Sequence, residues 1–585
     1  MPLRCKLPIV KKLFILAAFL VAASSSIRTA EDLGIGSREG LVVCTSAPAC
    51  DAGASVLARG GTAVDAAVAT AFALAVTHPA AGNIGGGGFM VVRTTSGDVT
   101  TFDFRETAPL KSTPTMYVGS DGRIDDTLTR TGYLAPGVPG SVRGLEAAHK
   151  KFGKLPWRDV VMPGVALAEQ GFILSSALAR SLNGELQRMA PYPASVAAYA
   201  KPAGTEWVAG DRLVLPDLAR TLRAIATDGA DAFYKGWIAD RIADDMKAHG
   251  GLITKQDLAA YQARERAPIR GAYKGFEIIS MPPPSSGGVA LVEMLNILEP
   301  LDLKSKGLLT APALHAQIEA MRRAYLDRAR FLGDPDFGDI PVARLTSKDH
   351  ARQVAASISP DKASSSADLG KDILGAAPIP EPDSTTHYSV IDRSGMAAAT
   401  TTTLEGSFGS HVVVKGAGFL LNNEMGDFNR KPGFTDETGA IGTAANLIAP
   451  GKRMLSSMTP TIVTKDGKVV LITGSPGGRT IINTVLSVVL GVTEYGLTGP
   501  DAVALTRMHH QWMPDRVTLE EKDVSEESVA KLRAMGHDVS VANRQGDAHT
   551  IWIGPDGMAR GANDKRTPDS KVAIPRYLTA PSAGR

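Results

Sequence analysis

Through residues 51–75 apolar side chains recur at helical spacing, at Val56, Leu57, Val64, Ala67, Val68 and Ala71, with Gly60-Gly61 between them. The pattern predicts two helices separated by a glycine break. From Gly140 to about Lys348 the period stays mostly helical, over 141–152, 160–170, 217–227, 236–248 and 311–332. Runs at 99–104 and 276–280 read instead as strands. Pro282-Pro283-Pro284-Ser285-Ser286-Gly287-Gly288 separates the second of these from a helix over 289–298. Past residue 384 the chain turns strand-rich. Candidate strands lie at 412–414, 419–421, 460–464, 469–473, 517–519 and 551–553, and 481–490 reads as a helix.

The two parts meet in a stretch of different character. Residues 356–384 carry Ser364-Ser365-Ser366, then Pro378, Pro380 and Pro382, with few aromatics, and read as an exposed, mobile connector. It leads into Asp383-Ser384-Thr385-Thr386-His387-Tyr388-Ser389-Val390. Residues 385–391 are β-branched and aromatic, as a strand requires. Arg393-Ser394-Gly395 forms a short loop ending on a glycine, and 396–404 reads as the returning strand. If Asp392 faces Met396, Thr385 lies directly opposite Thr403, with Cβ atoms about 4.5–5.5 Å apart. A slip of one residue would separate the two hydroxyls.

A threonine hydroxyl is a weak nucleophile until a base takes its proton. No Gly-x-Ser-x-Gly elbow lies near Thr385. An α-amino group on the same residue can act as base, since its ordinary pKa is about 7.7–8.0. That requires the Ser384–Thr385 bond to be cut. The alternative, an ordinary strand threonine, stands until further residues weigh against it.

Composition and charge set the surroundings. The 585 residues suffice for about two to four domain-sized units. A net charge of +3 and no basic tract beyond the N-terminus give no sign of a nucleic-acid partner. Arg4, Lys6, Lys11 and Lys12 precede an apolar run at 13–23 and the small residues Ser24-Ser25-Ser26. This is the layout of a secretory signal over residues 1–26, too short to span a bilayer. It places the protein in the periplasm or the medium without a stable membrane anchor. Of three cysteines, Cys5 falls in that leader. Cys44 and Cys50 can pair locally in an oxidising compartment, and no His or Cys pair completes a metal site around them.

Several other stretches carry possible chemistry. His78-Pro79-Ala80-Ala81-Gly82-Asn83-Ile84-Gly85-Gly86-Gly87-Gly88 lacks the Gly-Lys-Ser/Thr of a P-loop, so its glycines serve close backbone packing before a strand. In Asp103-Phe104-Arg105-Glu106 the arginine can clamp a carboxylate, or form a surface ion pair with its acidic neighbours. Ser286 has no base nearby and suits a cap or turn. Gly474-Ser475-Pro476-Gly477-Gly478-Arg479-Thr480 precedes a helix, where free N–H groups can bind an oxyanion. A plain strand-to-helix turn uses the same residues.

Together these stretches resemble the γ-glutamyltransferase (γ-glutamyltranspeptidase) family. The resemblance rests on 383–390, Leu421-Asn422-Asn423-Glu424-Met425-Gly426-Asp427-Phe428, Leu455-Ser456-Ser457-Met458-Thr459-Pro460-Thr461, 474–478, 103–106 and 78–83, in that family's order from about Gly40 onward. It implies an α+β N-terminal-nucleophile hydrolase, a four-layer αββα sandwich built from two chains after self-cleavage. The large chain would cover 27–384 and the small chain 385–585. By resemblance Thr385 is the nucleophile, its freed amine the base, and Thr403 the supporting hydroxyl. Arg105, Ser456 and Ser457 match positions holding the substrate α-carboxylate. Glu405, Glu424 and Asp427 match those holding its α-ammonium, and Gly477 and Gly478 those of the oxyanion site. No cofactor or metal is implied. The substrates would be glutathione or other γ-glutamyl compounds, with water, an amino acid or a peptide as acceptor.

Two departures qualify the match. Glu405 and Glu424 stand where many members have Asn or Gln, which strengthens the case for an ammonium and weakens one for a glutaryl group. The lid-like segment 432–446 has Phe434 as its only aromatic, with no Tyr or Trp. The favoured expectation is an exported γ-glutamyltransferase and glutathione hydrolase. A glutaryl or cephalosporin acylase of the same fold is the alternative enzyme. An uncleaved, non-catalytic binder of γ-glutamyl peptides is the alternative from a different class.

Overall fold

The computed structural model describes residues 33–202, 204–374, 384–437, 439–521, 523–542 and 544–577. The expected signal at 1–26 and the proline-rich end of the connector lie outside them.

Two seven-stranded sheets form the centre of the molecule. One runs in the order Lys571–Ala573, Gly40–Cys44, Ser384–Asp392, Ala397–Glu405, Gly87–Arg93, Val99–Asp103, Arg264–Arg266. The other runs Ile35–Ser37, Ala559–Asn563, His549–Ile553, Lys468–Thr473, Thr461–Lys465, Phe276–Ser280, Ile269–Tyr273. All pairings within both are antiparallel.

Alternation along the strands of the first sheet separates two cores. Val42, Met90, Val92, Tyr388, Val390 and Ala398 pack against the helices Ala47–Ala58, Ala63–Thr77, Ser141–Phe152 and Trp157–Gln170. Leu41, Val43, Phe89, Val91, Ala397 and Ala399 join Ile462, Leu471, Ile472 and Ile551 of the second sheet. Helices Gly287–Leu298, Ala311–Phe331 and Thr480–Thr493 add to that second core. The result is the αββα sandwich.

The helix pair expected around the glycine break forms as Ala47–Ala58 and Ala63–Thr77, the second opened by a capping box of Thr62 and Asp65. Gly86 shows why its run needs glycine: a Cβ there would lie 2.1 Å from the Thr403 carbonyl oxygen. Cys44 and Cys50 are joined in a disulfide. Residues 412–414 and 419–421, expected as strands, share only a single bridge, Val413 to Leu420. Positive φ at His411, Gly416 and Gly418 bends the chain out of a ladder there. No helix among the described residues is long and apolar enough to cross a membrane.

Candidate active site

The hairpin Ser384–Asp392 and Ala397–Glu405 has the register in which Thr385 faces Thr403. Gly395 closes its turn at φ 89°, and Asp392 Oδ1 accepts from Ser394 N at 2.8 Å. One feature of the hairpin has no counterpart in the sequence pattern. The register shifts beside Thr385, so that Ser384 pairs with Glu405 and Leu404 is the extra residue. Glu405 takes φ 76°, a strained conformation for a residue with a Cβ.

The bulge concentrates hydrogen bonds on one hydroxyl. Thr385 Oγ1 donates to Thr403 Oγ1 at 3.3 Å, and Glu405 N donates to the same oxygen at 2.8 Å. Thr403 Oγ1 in turn donates to the Ser384 carbonyl at 2.8 Å. Thr403 therefore touches both the Thr385 hydroxyl and the carbonyl of the bond expected to break.

Strand alternation puts His387 and Ser389 on the same face as Thr385. His387 is buried between Thr401 Oγ1, 2.8 Å from Nδ1, and Ser389 Oγ, 3.1 Å from Nε2. Burial holds its pKa well below the usual value, with His549 adding to the effect and Asp547 opposing it. Both ring nitrogens are occupied within the sheet, so His387 is no base for Thr385.

Two cavities border Thr385. The larger, about 550 Å³, is also lined by Ser384, Gly477, His78 and Asp547. The smaller, about 30 Å³, is lined by Thr385, Thr403, Gly478, Arg105, Glu405, Glu424, Asp427, Ser456 and Ser457. The structure thus brings every candidate residue to one place, with the two glycines at different cavities. Gly477 and Gly478 take φ 128° and 52°, just ahead of the helix Thr480–Thr493.

Arg105 is buried, not at the surface. Its Nη1 lies 2.6 Å from Glu424 Oε2 and 3.7 Å from Glu106 Oε2, and Nη2 is paired with Asp427. Burial works against its charge, but Glu424, Asp427 and Glu106 outweigh it and raise its pKa. The expected carboxylate clamp and ammonium clamp are therefore one ion cluster in direct contact. Burial raises Glu424 well above the carboxylate range, against the pull of Arg105. Burial also pushes Glu106 up to about 8, again opposed by Arg105.

Ser456 and Ser457 sit on a loop held by the Pro282–Ser286 turn. Ser286 is the residue before its helix, but its side chain makes no cap. It donates instead to the Ser456 carbonyl at 2.6 Å, so a positioning role replaces the expected cap. Arg328 Nη2 donates to Ser457 Oγ at 3.0 Å and Arg328 Nε to Ser286 Oγ at 3.0 Å. Arg328 and Glu106 are the site residues that sequence reasoning missed. Glu106 is the sequence neighbour of Arg105, where a surface ion pair is the simpler expectation, but it is buried. Arg328 lies inside the long helix Ala311–Phe331, with no local motif around it. The lid-like segment packs nearby: Phe434 lines a further small cavity with Arg328 and Asp427.

The two stacked sheets with a threonine at the start of a central strand define an N-terminal-nucleophile hydrolase. Residues 49–574 match the gamma-glutamyltranspeptidase family, and the chain belongs to it. It is 46% identical over 539 residues to the glutathione hydrolase proenzyme of Escherichia coli strain K12, covering 92% of each chain. Among solved structures it superposes on the cephalosporin acylase of Bacillus halodurans with TM-score 0.80 at 26% identity, covering 96% of this chain and 99% of that one. The Helicobacter pylori gamma-glutamyltranspeptidase matches at 45% identity and TM-score 0.54, over 54% of this chain and 91% of that one.

Proposed function

We propose that this chain is an exported, self-processing γ-glutamyltransferase and glutathione hydrolase with Thr385 as nucleophile. The observation that carries the reading is the position of Thr403, whose hydroxyl receives the Thr385 O–H and polarises the Ser384 carbonyl. In the precursor, Thr385 Oγ attacks that carbonyl carbon and the Ser384–Thr385 C–N bond breaks. The acyl group passes from nitrogen to oxygen, and the nitrogen gains a proton. Water then hydrolyses the ester, releasing residues 27–384 with a new carboxylate and leaving Thr385 with a free amine.

In the mature enzyme that amine takes the proton of Thr385 Oγ as the oxygen attacks the γ-carbonyl of a glutamyl amide. The leaving amine departs with a proton, and a γ-glutamyl ester remains on Thr385. Water or an amino acid or peptide amine resolves it, giving ping-pong kinetics. Gly477 and Gly478 would supply N–H groups to the oxyanion.

The charge balance of the site supports a γ-glutamyl rather than a glutaryl substrate. Arg105 already faces Glu424, Asp427 and Glu106, with Glu405 beside them. Burial keeps the Glu424 and Glu106 carboxyl groups protonated toward neutral pH, and a ligand ammonium beside them would favour their ionised form, a gain that a glutaryl group cannot supply. Arg328, which holds the Ser457 hydroxyl, would then meet the α-carboxylate together with that serine. The 30 Å³ cavity holds about one water, so the substrate must displace the surrounding side chains.

The test is Thr385→Ala against Thr385→Ser. On a denaturing gel the wild type and Thr385→Ser should give two bands, and Thr385→Ala one band near full length without activity on a γ-glutamyl anilide. Splitting of Thr385→Ala, or a small chain whose N-terminus maps elsewhere by mass spectrometry, would overturn the proposal. So would full activity of the intact chain, while an intact chain that binds γ-glutamyl peptides without turnover would point to the binder. A preference for the glutaryl anilide would favour the acylase alternative.

A further inference from the structure

Three helices of the second core bring Glu293, Asp327 and His350 together, from Gly287–Leu298, Ala311–Phe331 and Lys348–Ala356. One ligand atom from each lies within 4.8 Å of the others. His350 Nε2 is 3.6 Å from Asp327 Oδ2 and 3.9 Å from Glu293 Oε1. These separations are too long for hydrogen bonds. Both His350 Nε2 and Glu293 Oε1 are buried without a hydrogen-bond partner, and Glu293 is 1% exposed. Leaving such atoms unsatisfied is unfavourable, and two facing carboxylates need a proton or a cation between them.

The spacing is that of a coordination shell. Metal–ligand bonds of about 2.0–2.2 Å in a tetrahedron place ligand atoms about 3.3–3.6 Å apart; His350 Nε2 already stands at that distance from Asp327 and a few tenths of an ångström beyond it from Glu293. The other oxygen of Asp327 faces Arg330, 3.7 Å away, which leaves Oδ2 turned toward the cluster. A second cluster, His315, Glu319 and His537, provides the contrast. There His315 Nδ1 is 2.8 Å from His537 Nε2, its Nε2 is 2.8 Å from the Ser359 carbonyl, and Glu319 accepts from Ser364 and is paired with Arg322 and Arg323. Its ligand atoms are taken by hydrogen bonds, whereas Glu293 Oε1 and His350 Nε2 have none, the one hydrogen bond in the first cluster being that between the Glu293 and Asp327 carboxyl groups.

We propose that Glu293, Asp327 and His350 bind one divalent transition-metal ion of the Zn²⁺ type, with water completing the shell on the side where Asp327 and His350 are partly exposed. One imidazole and two carboxylates suit such an ion. The family resemblance implies no metal, and these three ligands lie on separate helices without a local spacing motif. The ion would act as a cross-link, not in the chemistry at Thr385. It would also fix the helix on which Asp327 is followed by Arg328, the residue that reaches Ser286 and Ser457.

The experiment uses tag-free, full-length processed protein, stripped by chelator and dialysed. It is titrated with Zn²⁺ by calorimetry and with Co²⁺ by visible absorption, and Tm is recorded with and without Zn²⁺. The expected result is saturable uptake of about one ion per molecule, with a rise in Tm. Glu293→Gln and His350→Gln should each weaken the affinity by about a hundredfold and abolish the Tm response. If Glu293→Gln fails to fold, the partly exposed His350→Gln and the wild-type titration still decide. Absence of saturable binding to wild type overturns the proposal, as does affinity unchanged in both variants. A Glu293→Gln protein more stable than wild type, with no metal response in either, would assign a shared proton to the site instead.

Discussion

The Thr403 hydroxyl donates to the Ser384 carbonyl at 2.8 Å while accepting from Glu405 N, so its proton is directed at the bond expected to break. Removing that donor should resemble loss of an oxyanion donor, which slows acyl chemistry about 10²–10³-fold. Thr403→Val should therefore accumulate as precursor, and Thr403→Ser should process at near the wild-type rate. Band conversion followed over time on a denaturing gel checks this.

Arg105 neutralises a buried set of carboxylates, and its removal leaves them uncompensated. Arg105→Ala should destabilise the protein by about 3–5 kcal/mol and abolish activity. Arg105→Lys should retain part of the stability but lose the two-pronged contact to Glu424 and Asp427. Chemical denaturation beside steady-state kinetics on a γ-glutamyl anilide separates the two effects.

Arg328 offers a narrower test. It binds Ser457 and Ser286 through both ends of its guanidinium. Arg328→Ala should raise KM for γ-glutamyl substrates at least about tenfold, on the order of 1.4 kcal/mol, with self-cleavage unaffected. An unchanged KM would remove Arg328 from substrate binding.

Acid should unfold this protein in a defined window. Burial lowers His78, His509 and His537 from an ordinary 6.5 to about 4. The unfolded chain binds these protons first, so the stability they contribute is fully present above pH 6.5 and is lost as pH falls toward 4, by up to about 3 kcal/mol per group. Glu106, raised to about 8, acts in the opposite direction between pH 4.5 and 8, and Glu293 and Glu424, also raised by burial, act with it, but His387 and His510, also lowered by burial, add to the first set. Tm measured from pH 7 to pH 4 should fall steeply below pH 6.5. A flat profile would contradict the burial of neutral histidines.

Much of this architecture was legible where periodicity is strong and the turn chemistry is local. The hairpin register followed from β-branched runs around Arg393-Ser394-Gly395, and the helix 141–152 formed with the expected ends as Ser141–Phe152. The bulge at Leu404 was not legible, because nothing in the residue pattern marks which side of a ladder carries the extra residue. The family motifs located Arg105, Glu424 and Asp427, but not that they contact one another, since that depends on how far each side chain is buried. Arg328 and the Glu293–Asp327–His350 cluster arise from helix packing alone. Such sites carry no one-dimensional signature, because each residue lies in an ordinary helical stretch.

The strand order of the first sheet has one last implication. Strands from before Ser384 and from after it are interleaved in it, with Gly40–Cys44 lying between Lys571–Ala573 and Ser384–Asp392. A break at that bond would therefore free an end without freeing a partner. The two polypeptides would stay interlocked like the teeth of a closed zipper, co-eluting in native buffer and coming apart only when the whole sheet melts.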